Sequence, residues 1–366
     1  MVQNNKEDTD FRFMLNDSLK IFFKDALKIS LTHPSQALFF LRTLRWQKKA
    51  SQRREQWEQQ GTHVPPIMIF SITHACNLNC SGCYEKAIRP TVHQELTDEQ
   101  LQHIIVQAHD LGISFVVVAG GEPFTRTTFF ETTKDFRDMI FIIFTNGLLI
   151  NDDILINIKN QKNIVPLLSL EGCEEETDEK RGKGVYERLQ RTMTTLNKHN
   201  LFFGTSLTVT SSNFETITSE AFIQSLIDRG CKFFMFLEYN PLKPGTEKWM
   251  ITEDQRKKTM DIIKSFRVKW PALFISVPGD EEEIGGCLAA GRGFIHISAE
   301  GDVEPCPFAP YSNMNLKNVT LKKALQSDFL KKIRENHSHL QETGGSCVLW
   351  QNREWVQSLL KNIPEQ

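Results

Sequence analysis

Cys76, Cys80 and Cys83 fall within the run Cys76-Asn77-Leu78-Asn79-Cys80-Ser81-Gly82-Cys83, in the spacing C-x3-C-x2-C. A loop this short presents three thiolates to one small volume. That is enough to hold three irons of a [4Fe–4S] cluster and to leave the fourth iron free to bind a small molecule. Clusters that only carry electrons take four cysteines. A zinc site pairs two C-x2-C knuckles, or one knuckle with histidines, and His74, two residues before Cys76, does not complete such a spacing. Three unrelated buried thiols are the bland alternative, and a chain with only eight cysteines seldom clusters them in this way.

A second element follows 37 residues beyond Cys83. Phe115-Val116-Val117-Val118-Ala119 has no polar face, as expected of a buried parallel strand. It runs into Gly120-Gly121-Glu122-Pro123, where two glycines permit a sharp turn and a close approach to a ligand. Alone, this tetrapeptide reads equally well as a plain turn. Together with the cysteine loop it resembles the methionine-binding loop of the radical S-adenosylmethionine (SAM) family. The likeness continues at Thr145-Asn146-Gly147, at Ser169-Leu170-Glu171-Gly172 (similar to the family's Ser-x-Asp-Gly), at Asp178-x-x-Arg181-Gly182 and at Thr208-Val209-Thr210 with Asn213. It spans residues 67 to 239.

The resemblance implies a cluster on Cys76, Cys80 and Cys83 that binds SAM through its amino and carboxylate groups. Gly120, Gly121, Glu122 and Pro123 are then expected around the amino end, and Ser169 and Arg181 at the carboxylate, since a guanidinium suits a bidentate anion contact. Asn146, Glu171 and Thr208 are expected in the same SAM site. One electron, delivered by a donor such as flavodoxin or ferredoxin, would cleave SAM. The resulting 5′-deoxyadenosyl radical would take a hydrogen atom from the substrate. The family usually places an aromatic residue just before the third cysteine, against the adenine; here that residue is Gly82, and Tyr84 follows the cysteine. Either Tyr84 covers part of that role or backbone contacts alone hold the adenine. Glu238 and Tyr239 are weaker candidates for substrate contact.

The C-terminal part has a further set. Cys287, Gly301 and Cys306 form C-x13-G-x4-C, similar to the opening half of the SPASM motif, the auxiliary-cluster domain of many radical SAM enzymes. Phe294–Ile297 and Val303–Glu304 read as a hairpin around Gly301. Only Cys347 remains beyond it, which suggests a truncated, twitch-like domain with one auxiliary [4Fe–4S] cluster on Cys287, Cys306 and Cys347. A structural role, or zinc shared with His296 or His337, is the alternative. Cys173 and Cys231 have no partner by spacing. Cys231 reads as a small buried hydrophobe; Cys173, beside the Ser169–Gly172 motif, is a lesser candidate for catalysis or a fourth ligand.

Strand-like runs at 67–72, 115–119, 140–144, 164–169, 203–209 and 233–238 alternate with helical patterns at 98–111, 128–136, 152–159, 185–199 and 215–229. This alternation predicts parallel βα units, hence an α/β fold built on a partial (β/α)6 TIM-type barrel. Every motif above lies after a strand, where such barrels carry their chemistry. The expected division is an N-terminal helical extension (1–62), the radical SAM barrel (63–270) and a small α+β auxiliary-cluster domain (271–366).

The extension is basic. Between Ser18 and Arg54 there are nine Lys or Arg and one acid, a charge of +8 in a chain of net −2. Phe22, Phe23, Phe39, Phe40, Leu41 and Trp46 are interleaved with them, and Pro34 divides two helical stretches. This composition suits helices lying on an anionic membrane surface. It also suits helices packed across the barrel, or a partner surface; no nucleic-acid partner is expected. No apolar run reaches the ~18–20 residues of a membrane span, and metal-type cysteine spacing without a secretory signal points to a reducing cytoplasm. The expected location is cytoplasmic, with peripheral contact on the inner face of the membrane. The substrate class implied by the likeness is a peptide or protein. A lipid or other membrane-borne small molecule is the alternative, and a non-catalytic iron–sulfur electron carrier a third, against which the Gly120–Pro123 loop argues.

Overall fold

The computed structural model describes residues 21, 24–29, 34–89, 94–283, 286–336, 340 and 347–361. Expectations that rest on Lys20, Phe22, Phe23 and His337 lie outside these residues. The strands are β1 (Ile67–Ser71), β2 (Phe115–Ala119), β3 (Ile140–Thr145), β4 (Ile164–Leu170), β5 (Gly204–Val209), β6 (Phe233–Glu238), β7 (Leu273–Val277), β8 (Phe294–Ile297) and β9 (Val303–Glu304). They form one sheet in the order β7-β6-β5-β4-β3-β2-β1-β8-β9. All neighbours are parallel except β8 and β9.

The expected strands are present with their ends moved by a residue at most, because continuous β-branched and aromatic runs leave little freedom of register. The helix Asp98–Leu111 carries a full capping box, Thr97 with Gln100, and ends on the left-handed Gly112. Three helical stretches differ from expectation; the 128–136 pattern is helical only over Phe129–Thr133. The 215–229 pattern divides into Phe214–Ile217 and Glu220–Asp228, because Ser219 caps the second piece through Phe222 N. The stretch 321–334, also helical in its pattern, divides at Ser327, which caps Asp328–Glu335 through Leu330 N. A hydroxyl that satisfies a free helical N–H starts a new helix where apolar periodicity alone reads straight through.

The sheet also continues past residue 270, where a separate domain was expected. β7 pairs with β6, Phe233 opposite Leu273, and β8 pairs with β1, Ile67 opposite Phe294. Without β8, the second edge of β1 would present unpaired N–H and C=O groups. The hairpin expected in the auxiliary domain is therefore part of the barrel sheet.

Side chains alternate across the sheet. Met68, Phe70, Val116, Val118, Phe141, Leu207 and Phe234 join the core beneath the outer helices. The opposite, inner face is graded along the strands. At the strand starts it is apolar and closed: Phe115, Ile140, Ile142, Val165, Leu167, Phe233 and Leu273 pack with Phe39 and Phe40 of the helix Pro34–Gln59. Phe40 meets Phe202 edge-on at 5.0 Å. Nearer the carboxyl ends, Val117, Ala119, Phe144, Ser169, Thr208, Met235, Leu237, Ile275 and Val277 are all partly exposed. The barrel interior is thus sealed below by the N-terminal helix and open above.

This corrects part of the membrane reading. Phe39 and Phe40 are the floor of the barrel, Arg54 is buried and donates to Gly112 O at 2.7 Å, and Arg53 donates to His109 O. Burial brings the Arg54 guanidinium down to about 10. Among the described basic and large apolar residues of the segment, Ile21, Lys24, Lys28, Leu38, Leu41, Arg42, Arg45, Lys48 and Lys49 stay exposed. No described helix is long and apolar enough to cross a membrane.

Candidate active site

The three-cysteine loop leaves β1 at the open end and is fastened to the loops after β2 and β3 and to the last turn of the helix Glu174–Arg181 that follows β4. Gly121 N donates to Thr73 O at 2.7 Å and Glu122 N to Ala75 O at 2.8 Å. Asn146 Nδ2 donates to Asn77 Oδ1 at 2.7 Å, and Ser81 N to Lys180 O at 2.8 Å. The loop's shape therefore comes from its neighbours rather than from a helix or strand of its own. Burial pushes the Cys76 and Cys80 thiols up, and both lie close enough to Cys83 to be affected by its charge. Among the described residues, no three His, Cys, Asp or Glu side chains converge as they would on a single ion. Zinc draws thiolates to about 2.3 Å of one centre. Three thiols on one loop are the donor set that a [4Fe–4S] cube with one open iron would need.

Gly120 and Gly121 are needed here for a reason other than ligand approach. A Cβ on Gly120 would come within 2.3 Å of Thr73 O, and one on Gly121 within 2.3 Å of Ala75 O. The two loops touch backbone to backbone. Glu122 is buried, and its carboxylate accepts from Thr145 Oγ1 (2.7 Å), Asn146 N (2.7 Å) and Phe124 N (3.1 Å). Burial pushes its pKa up although all three donors oppose this. Glu122 is thus a strut between the β2 and β3 loops, and Pro123 beside it is buried at the start of a short 3-10 turn.

Glu171 is likewise engaged. Its Oε2 accepts from Lys180 Nζ at 2.8 Å and its Oε1 from Arg181 Nε at 3.0 Å and from Arg181 Nη2. Burial works against its charge, yet the two cations hold its pKa below the usual carboxylate range. Arg181 also feels the Cys80 and Cys83 thiols, which places a cation beside the cysteine loop. Asn213 Nδ2 fixes the turns by donating to Glu171 O at 2.7 Å and Thr208 O at 2.8 Å. Ser169 and Thr208 face the open interior, Ser169 within 3.4 Å of Ser206 Oγ. Glu238 is held by Arg256 (Nε to Oε2, 2.9 Å), and Tyr239 donates to Thr246 Oγ1 at 2.8 Å.

Residues 70–222, which include this whole assembly except for the strand β6 and beyond, match the model of the Radical SAM superfamily. The chain carries a radical SAM domain. It is an enzyme of a family that works with a [4Fe–4S] cluster and SAM. It is similar to the AdoMet-dependent heme synthase of Methanosarcina barkeri, with 26% identity over 78% of this chain and 88% of the relative. It is also similar to the mycofactocin maturase MftC of Mycolicibacterium smegmatis, with 26% identity over 80% of this chain and 77% of the relative. Among solved structures, Streptococcus suis SuiB bound to precursor peptide SuiA shares the fold, with a TM-score of 0.65 at 17% identity over 90% of this chain and 79% of that one.

Two features of this radical SAM site were not legible in the sequence. The first is the aromatic ring at the cysteine loop. Tyr84 turns inward: its hydroxyl is buried within reach of Ser71 and Gly120, burial pushes its pKa up, and its ring meets Phe308 edge-on at 5.8 Å. Trp249 lies against Gly82 instead. The second is a buried charged network beneath the loop. Both ring nitrogens of His74 face carboxylates, Glu85 at 2.7 Å and Glu300 at 2.8 Å, and these contacts, Glu300's first, raise its pKa to about 9. Arg89 pairs with Glu304, and His296 bridges Glu304 (2.8 Å) and Ser71 (3.0 Å). With both nitrogens engaged, His296 is not placed to be a zinc ligand.

The network leads to the second cysteine set. The Cys306 and Cys347 thiols share a hydrogen bond, which pushes Cys306 well up and lowers Cys347. Cys287, raised well above its usual value by burial, lies close enough to interact with Cys347. Cys347 N donates to Asn240 Oδ1 at 3.1 Å, so the set adjoins the barrel mouth where β6 ends. Cys231 is buried, and Cys173 is exposed.

Proposed function

We propose that this enzyme cleaves SAM reductively and takes a hydrogen atom from a peptide or protein substrate. The observation that carries the reading is the three-cysteine loop held against Gly120–Glu122 at the open end of a barrel whose floor is closed. A reduced [4Fe–4S] cluster supplies the electron that splits SAM into methionine and the hydrogen-abstracting 5′-deoxyadenosyl radical. Cys76, Cys80 and Cys83 would hold that cluster. Arg181, kept charged beside the loop, would meet the SAM carboxylate, with Ser169, Thr208 and Asn146 lining the rest of the site. Gly120, Gly121, Glu122 and Pro123 would bind the amino end chiefly by fixing the loop. The closed floor would keep water from entering through that end, which helps protect a reactive intermediate.

Cys287, Cys306 and Cys347 would hold one auxiliary [4Fe–4S] cluster, so the chain would divide in function, though not in sheet, near residue 270. The peptide reading is supported by relatives named as a maturase and as the subtilosin biosynthesis protein AlbA of Bacillus subtilis. The heme synthase relative supports a second reading, a small molecule, which the exposed Leu38, Leu41, Arg42, Arg45, Lys48 and Lys49 would allow to be membrane-borne. Anaerobic incubation with reductant, SAM and deuterium-labelled cell-extract fractions tests the proposal. Deuterium in 5′-deoxyadenosine is expected with the peptide fraction; transfer from the lipid fraction alone would replace the peptide reading with the second.

A further inference from the structure

The ring of Trp249 lies on the cysteine loop in a way that excludes any side chain from position 82. Gly82 sits in the left-handed region at φ +67°, and a Cβ there would fall 2.5 Å from Trp249 Cζ3. Both the backbone angle and the occupied space require glycine. The indole thus fills the volume that a residue-82 side chain would otherwise take, between Cys80 and Cys83.

The ring is held in that place. Trp249 ends the 3-10 turn Glu247–Trp249 beyond β6. Its carbonyl accepts from Ser211 N at 3.0 Å and its N–H donates to Thr246 O at 3.0 Å. The Tyr239 ring meets it edge-on at 5.4 Å, and the Tyr239 hydroxyl pins Thr246. One part of the indole is covered by Gly82 and another by Tyr239, yet the residue remains partly exposed. A flat apolar surface is therefore presented beside the thiols, at fixed orientation and with little rotamer freedom left to lose. Tyr84, the aromatic residue next to Cys83, has its hydroxyl buried beside Ser71 and Gly120.

We propose that Trp249 is the stacking surface for the purine of SAM. This rests on the reading that SAM docks at the Cys76–Cys83 loop. A purine is a planar π-system, and base–aromatic stacking contributes about 1–3 kcal/mol by alanine substitution, a factor of roughly 5–150 in affinity. Trp249 would act as a positioning residue, since orientation of SAM over the open iron decides where its sulfonium bond points.

The test is equilibrium binding to the anaerobically reconstituted protein, with SAM, S-adenosylhomocysteine and methionine as probes. Trp249→Ala and Trp249→Leu should each weaken SAM and S-adenosylhomocysteine about tenfold or more, while Trp249→Phe stays within about threefold of the original. Methionine, which has no purine, should bind all four proteins alike. Leucine keeps apolar volume over Gly82 without a ring, so it separates stacking from packing of the loop. Unchanged SAM affinity in the Ala and Leu variants would overturn the proposal, as would an equal loss for methionine, which would make Trp249 only a clamp on the loop. If the unsubstituted protein binds no SAM, the SAM reading itself falls, and this inference with it.

Discussion

Removing the Glu122 carboxylate tests whether this side chain is a strut or a direct SAM contact. Glu122→Ala would strip acceptors from Thr145 Oγ1, Asn146 N and Phe124 N. Hydrogen bonds to a charged acceptor are worth about 1.5–3 kcal/mol each, but the loss is not additive where relaxation and water entry rescue some donors. Leaving a buried donor without a partner costs about 1–3 kcal/mol, and the raised pKa of Glu122 shows that its burial already detracts from the gain. We expect about 3–4 kcal/mol of destabilisation, a fall in Tm on the order of 4–5 °C at this chain length. Glu122→Gln should fall in between, about 1–3 kcal/mol, because its amide can keep one oxygen toward Thr145 and Phe124 but must set N–H against Asn146 N–H. Differential scanning calorimetry of reconstituted protein, with SAM binding measured alongside, is the assay. An unchanged Tm with SAM binding abolished would refute the strut and make the carboxylate a ligand contact.

Replacing Cys76, Cys80 and Cys83 together by Ala should lower iron from about eight to about four per chain, as two four-iron clusters require; zinc in either protein, or about four irons in the unsubstituted one, would remove the auxiliary cluster. Phe40→Ala should destabilise by about 3–5 kcal/mol by opening the barrel floor, with SAM affinity unchanged in the folded fraction. The His109–Asp138 pair, 3.0 Å apart, should give stability a pH dependence. His109 is raised and Asp138 lowered, each chiefly by the other. The histidine's contribution is full below its unfolded pKa near 6.5 and is lost as pH rises through the folded value; the aspartate's is full above about 3.9 and is lost as pH falls. Denaturant titrations should show this loss above pH 6.5 in the original protein and not in Asp138→Asn.

The strands were legible because runs such as Phe115–Ala119 and Phe233–Glu238 are uninterrupted and end at turn residues, and the C-x3-C-x2-C loop stands out because its spacing is local. Other features depended on contacts between distant segments. The spacing of Gly120 and Gly121 shows that glycine is needed there, but only the fold shows that the demand comes from the carbonyls of residues 73–75. Trp249 and Gly82 meet across the barrel mouth, and nothing near either residue in sequence announces the other. Phe39 and Phe40 beside arginines have the same composition whether they enter a bilayer or a barrel floor; the inner faces of β2 to β7 decide it. The hairpin at Phe294 carried an auxiliary-domain signature while its pairing with β1 was invisible, because parallel partners are not adjacent in the chain.

The most direct test of the central claim is 5′-deoxyadenosine formed from SAM by anaerobically reduced protein without added substrate. The account predicts slow formation with an equal amount of methionine, and none from the protein in which Cys76, Cys80 and Cys83 are all Ala. Equal formation by that variant, or none by the unsubstituted protein with its iron fully loaded, would contradict it.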